Sequence, residues 1–246
     1  MRRYRMFNQT ARICVVGIGG GGSNAINHMI KAGVRGVDYI AVNTDSLSLL
    51  LSEASTHIHI GESGQGTGGD VRKGRIAASR AKADLQYALH GADLVFITSG
   101  MGGGTGTGAS PVVARIARNL GALTIAVVTH PFSFEGPQRS RIARRGMQEL
   151  EDAVDTLIAI PNDNLLLSDS KHCALPEAFR QSDTVLKQAI EGITEIIAQP
   201  GRINLDFADV KTIMGEGGRA VMAIGRGIGE GAAVAATKQA LDSAML

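Results

Sequence analysis

The placement of glycine narrows the folds open to this chain more than any other feature. Of its 32 glycines, five fall in 17–22, six in 61–74, six in 100–108 and seven in 215–231. The first and third clusters each follow an apolar run, Arg12-Ile-Cys-Val-Val16 and Asp93-Leu-Val-Phe-Ile-Thr98. Each precedes a helical pattern. A strand, a glycine loop and a helix in succession bring bare main chain and the free N–H groups of a helix N-terminus to one place, which is what a phosphate needs.

The remaining runs extend that pattern. Asp38-Tyr-Ile-Ala-Val-Asn43, His57-Ile-His-Ile60, Leu123-Thr-Ile-Ala-Val-Val128 and Thr156-Leu-Ile-Ala-Ile160 read as strands. Helical spacing starts at Asn24 and runs over Asp70–Leu89, Pro111–Leu120 and Arg139–Leu150. Near-continuous apolar strands alternating with helices predict an α/β fold, a Rossmann-like, doubly wound parallel sheet with ligands beyond its C-terminal strand ends. A long helix from Pro176 to Pro200 follows as a connecting spine. Ala220–Ile224 then reads as a strand without partners and Ala232–Met245 as a helix. The expected organisation is a disordered arm (1–10), a nucleotide domain (11–175), the spine (176–200) and the start of a second domain (201–246).

Composition removes several classes. A net charge of +2 does not suit a dedicated nucleic-acid or membrane-surface protein. No apolar run approaches a membrane span. Two isolated cysteines, Cys14 and Cys173, make no disulfide framework and point to a reducing cytoplasm. His57 and His59 lack a third ligand, and the arginines of 139–145 read as a solvated face or subunit contact.

Gly17-Ile-Gly-Gly-Gly-Gly-Ser-Asn24 satisfies G-x-G-x-x-G at Gly17, Gly19 and Gly22. Asp45 lies about where a dinucleotide's ribose-binding acid stands, so an NAD-dependent oxidoreductase is a real alternative. Gly100-Met-Gly-Gly-Gly-Thr-Gly-Thr-Gly108 repeats the phosphate cradle and adds the hydroxyls of Thr105 and Thr107. A dinucleotide fold has no use for this second loop, whereas a nucleoside di- or triphosphate does. No G-x-x-x-x-G-K-[ST] occurs, which excludes a P-loop enzyme. Asp206 and Asp209 stand three apart at a helix start, where capping is the stronger reading from the residues alone.

Gly-Gly-Gly-Thr-Gly-Thr-Gly is a tubulin-type signature. Together with Asn43-Thr-Asp45, Pro131-Phe-Ser-Phe-Glu-Gly136, Ile160-Pro-Asn-Asp163 and Asn204-Leu-Asp-Phe-Ala-Asp209, it resembles the FtsZ family, the tubulin-like GTPases of bacterial cell division. The resemblance runs from about Ala11 to the last residue. It implies that Gly20, Gly21, Gly22, Ser23 and Asn24 hold phosphates from one side and Gly104, Thr105, Gly106 and Thr107 from the other. Glu135 and Arg139 would meet the sugar, and Asn162 and Asp183 the ribose and guanine. It further implies GTP and GDP as ligands with Mg²⁺, head-to-tail self-polymerisation, and hydrolysis completed by Asn204, Asp206 and Asp209 of the next subunit. Division-machinery partners, a mid-cell cytoplasmic location and no nucleic-acid or direct membrane contact follow from the same resemblance. The family departs from this chain in carrying a Pro where Val71 stands. It also continues past Leu246 through a full second domain, so a GTP-binding module that does not polymerise is the second reading.

Overall fold

The computed structural model describes residues 11–168, 174–198 and 206–242. The expected arm at 1–10, Cys173, the Pro200-Gly201 helix stop and Asn204 lie outside the described residues. The strands are β1 (Ile13–Ile18), β2 (Asp38–Asn43), β3 (Thr56–His59), β4 (Leu94–Gly100), β5 (Leu123–His130), β6 (Thr156–Pro161) and β7 (Arg219–Ala220). They form one parallel sheet in the order β3-β2-β1-β4-β5-β6-β7.

Alternation along each strand sends side chains to two cores. Cys14, Val16, Ile18, Val95 and Ile97 face one layer of helices: α3 (Val71–Arg80), α4 (Lys82–Leu89), α5 (Gly104–Asn119) and α6 (Pro137–Glu151). Ile13, Val15, Phe96, Ile125 and Val127 face the other, built chiefly from α1 (Gly19–Lys31) and α8 (Leu175–Ala198). Burial on both faces explains why the strands are apolar throughout. Burial also pushes the Cys14 thiol up to about 11, which makes it an inert core group.

The chain leaves β1 toward β2 and leaves β4 toward β5, on opposite sides. The loops at the C-terminal ends of these adjacent strands therefore diverge and leave a crevice, the usual ligand position in such sheets. Both glycine loops border it.

Several expected boundaries shift. The glycines at 19–22 and 104–108 are not loops before helices but the opening turns of α1 and α5. Pro111 consequently lies inside α5 rather than near its first turn. Gly74 and Gly108 explain the helical state: a Cβ at Gly74 would lie 2.4 Å from the Gly104 carbonyl oxygen, and one at Gly108 2.1 Å from that of Val71. These glycines let α3 pack main chain to main chain on α5, and the packing overrides intrinsic propensity. The single helix expected over Asp70–Leu89 is two, parted at Ala81. The strand expected at Ala220–Ile224, without partners, is corrected. Only Arg219–Ala220 is extended, and it pairs in parallel with Leu157 and Ile158 of β6. Gly225 and Gly227 approach the main chain of α10 (Ala232–Leu241), which gives the fourth glycine cluster a packing role.

Candidate functional site

A cleft of about 340 Å³ opens at the crevice. Gly19, Gly20, Gly21 and Asn24 of α1 form one wall, and Gly103, Gly104, Thr105 and Gly106 form the other. The two walls touch through main chain: a Cβ at Gly19 would meet the Gly106 nitrogen at 3.0 Å, and one at Gly21 the Gly100 nitrogen at 3.1 Å. Two helix N-termini thus converge on one space, with their free N–H groups and positive dipole ends.

Not every glycine here is explained by packing. A Cβ on Gly20 or Gly103 would have no neighbour within 4 Å, and neither residue has a positive φ. Gly20 stands in a helix, where alanine is favoured by about 1 kcal/mol. Its bareness serves the cleft, leaving room for a group that comes against the main chain.

The far end of the cleft has different chemistry. Glu135, in a 3-10 turn at Ser133–Glu135, accepts the Phe132 N–H at 2.9 Å and pairs with Arg139 at 2.5 Å. Asn162 opens the short helix α7 (Asn162–Ser168), and its Oδ1 accepts the Ser182 hydroxyl at 2.9 Å. Phe179, Ser182, Asp183 and Leu186 come from α8. Phe179 packs edge-on against Phe132 and leaves 41% of its surface open, a flat apolar surface on which a planar ring could rest. The Asp183 carboxyl has no hydrogen-bond partner among the described residues. Burial raises it from 3.8 to about 6. A carboxyl in that condition suits a ligand with N–H donors.

The expected residues separate by helical geometry. Gly20, Gly21, Asn24, Gly104, Thr105, Gly106, Glu135, Arg139, Asn162 and Asp183 line the cleft. Gly22 and Ser23 lie on the opposite side of α1, against the sheet; a Cβ at Gly22 would meet the Thr98 carbonyl oxygen at 2.5 Å. The Thr107 hydroxyl is spent inside the protein, accepting the Gly102 N–H at 2.9 Å. Asp45 is also outside the lining. It caps the helix α2 (Ser46–Leu50), accepting the Leu47 N–H at 3.1 Å and the Ser48 hydroxyl at 2.7 Å.

Asp206 caps α9 (Phe207–Met214) by accepting the Asp209 N–H at 2.9 Å. Met214 of α9 accepts the Thr156 hydroxyl at the first residue of β6, which puts this helix at the opposite end of the sheet from the cleft. Thr67, Thr129, Ser182 and Phe179 line the cleft without having been expected. Thr67 belongs to the second glycine cluster. The family resemblance marks that cluster, Gly66-Thr-Gly-Gly-Asp70, as a γ-phosphate loop offering main-chain donors, without singling out the Thr67 side chain.

Two main-chain cradles at the switch point of a doubly wound parallel sheet, facing an open carboxyl and an aromatic ring, are the architecture of a nucleotide-binding domain without a P-loop. Residues 12–168 match the Tubulin/FtsZ family, GTPase domain, and the chain belongs to that family. This membership displaces the dinucleotide alternative. The chain is similar to the FtsZ dimer, empty, of M. jannaschii, with 43% identity and a TM-score of 0.91, covering 96% of this chain and 69% of that one. A mutant of M. jannaschii FtsZ matches at 42% identity and a TM-score of 0.91, over 96% of this chain and 72% of the other. CetZ2 of Haloferax volcanii shares the fold, with 22% identity and a TM-score of 0.73 over 86% and 65%. The chain is thus a GTPase of the Tubulin/FtsZ type.

Proposed function

We propose that this GTPase is cytoskeletal: it binds GTP in the cleft, stacks head to tail with copies of itself, and hydrolyses GTP where two copies meet. The observation that carries this reading is the separation of its acids. Asp206 and Asp209 sit at the end of the sheet away from the cleft, beyond a 24-residue α8 that spans about 36 Å at 1.5 Å per residue. No rearrangement within one fold brings them to a phosphate, whereas a second copy placed end to end does. The relative described as an FtsZ dimer supports self-association.

In this arrangement Gly20, Gly21, Asn24, Gly104, Thr105 and Gly106 hold the phosphates. Glu135, Arg139 and Asn162 meet the sugar, and Asp183 accepts the two N–H groups on the guanine edge. Asp206 and Asp209 of the next copy, with Asn204, position and polarise the attacking water, since phosphoryl transfer asks mainly for positioning and charge neutralisation. No group of three His, Cys, Asp or Glu among the described residues could hold a metal ion. Mg²⁺, if bound with the nucleotide, would neutralise charge on the phosphates. The biological role we infer is that of a scaffold for cell division, at the mid-cell site in the cytoplasm. No helix among the described residues is long and apolar enough to cross a membrane.

The test is GTP turnover per subunit against protein concentration, read beside sedimentation. The expected result is a steep rise above a threshold, lost in Asp209→Ala while GDP still binds. A flat trace with tight GDP binding would leave only a nucleotide-binding module.

A further inference from the structure

Thr44 follows β2 directly and is buried to 5% exposure. It lines no part of the cleft, yet its Oγ1 lies 2.7 Å from Oγ1 of Thr105, which does. Neither hydroxyl has another hydrogen-bond partner among the described residues. Burial favours one proton order. If Thr105 donated to Thr44, the Thr44 proton would have no protein acceptor among the described residues and only the neighbouring pocket that Thr44 lines to turn to, a loss of up to about 1–3 kcal/mol. The favoured order has Thr44 donating to Thr105, which turns the Thr105 proton into the cleft.

The main chain of Thr44 is held on both sides. Its N–H donates to Asn43 Oδ1 at 2.9 Å, and its carbonyl accepts the Gly66 N–H at 3.1 Å. Gly66 adjoins Thr67, whose side chain packs on Gly104 and lines the cleft. The hydroxyl of Thr44 is therefore fixed in position by the same glycine segment that borders the site.

We propose that Thr44 is a positioning residue for phosphate binding: its hydroxyl donates to Thr105, so that the Thr105 hydroxyl reaches the cleft as a pre-aimed donor. The inference rests on the cleft being the guanine-nucleotide site. A hydroxyl that already accepts one hydrogen bond is a stronger donor for the next. A donor to a charged phosphate oxygen counts for more than one to a neutral group. The chain of two hydroxyls adds a side-chain donor to the main-chain N–H groups of Gly104 and Gly106 beside it.

The test compares GDP with guanosine on Thr44→Val, which trades the hydroxyl for a methyl of similar size, and on Thr44→Ser, which keeps it. Thr44→Val should weaken GDP binding about five- to tenfold, the worth of the one neutral hydrogen bond it removes, and leave guanosine within about twofold. Thr44→Ser should restore GDP affinity. In a Thr105→Val background, Thr44→Val should have no further effect. Unchanged GDP affinity in Thr44→Val, an equal loss for guanosine, or additive losses in the double variant would overturn the proposal. Should Thr44→Val unfold, the wild-type chain with labelled threonine methyls decides: the Thr44 signal should move on adding GDP and stay still with guanosine, and a still signal with GDP refutes the role. Failure of the wild-type chain to bind GDP at all would instead refute the site.

Discussion

Replacing Asp183 with asparagine should stabilise the free protein and weaken its guanine binding. Burial raises the Asp183 carboxyl from 3.8 to about 6. A shift of about two units corresponds to about 3 kcal/mol at 1.36 kcal/mol per unit, an upper figure for a group that keeps some solvent. The sign follows from which form burial disfavours. Below the unfolded value both states carry the proton and nothing is lost. As pH rises from about 4 through about 6, the folded state comes to hold a desolvated charge and stability falls. Above pH 6 the loss is complete, so Asp183→Asn should melt several degrees above wild type at pH 7.5, at roughly 2–4 °C per kcal/mol for a chain of this length. At pH 4 the two should melt together.

Nucleotide binding should move the other way. Asparagine offers one acceptor and one donor, so one guanine N–H meets a donor and GDP binding should weaken by about 2–4 kcal/mol, roughly 30- to 1,000-fold. The same amide suits xanthine, which presents one N–H and one carbonyl, so xanthosine diphosphate should overtake GDP. Wild-type GDP affinity should fall toward tenfold per pH unit below pH 6, beyond any slope retained by the variant, which reports phosphate protonation. Titration calorimetry from pH 5 to 8 and thermal melts read all of this. A variant that binds GDP like wild type at pH 7.5, or melts below it, would refute the assignment of this carboxyl to the base.

Two alanine substitutions should separate glycines that serve the cleft from glycines that serve packing. Gly20→Ala has open space for its Cβ and should leave the melt unchanged or raised while weakening GDP at least about tenfold; intact GDP affinity would show that no ligand approaches there. Gly108→Ala drives a Cβ into the Val71 carbonyl oxygen and should cost about 1–3 kcal/mol by forcing α3 off α5, read by denaturant unfolding, with no loss telling against their contact. Asp206→Ala removes the α9 cap and should lower stability by about 1 kcal/mol without altering GDP affinity of the isolated subunit; a binding loss with an unchanged melt would place Asp206 at its own cleft.

The residues that could be read in advance are those whose chemistry is local. Gly20, Gly21, Gly104 and Gly106 follow strand ends in tight glycine runs, a pattern visible in the sequence whether the missing Cβ leaves open space, as at Gly20, or avoids a clash with protein, as at Gly104 and Gly106. The parallel sheet was equally legible, since strands buried on both faces leave no polar side in their composition. Gly22, Ser23 and Thr107 look identical in sequence to their neighbours. They turn away from the cleft because α1 and α5 begin inside the glycine runs, and a 3.6-residue period then sends adjacent residues to opposite faces.

The amino-acid order alone thus settled the family of folds and the two glycine segments that border the cleft, because near-continuous apolar strands and bare main chain are properties of short segments. Tertiary packing decided everything that depends on distance between segments. It spent Asp45 and Asp206 on helix caps, seated Arg219–Ala220 on β6, and carried Asp206 and Asp209 to the far end of the sheet from the cleft. It also set Thr44 against Thr105, across 61 positions of chain, through a β2 end and an α5 start that only the folded sheet makes neighbours.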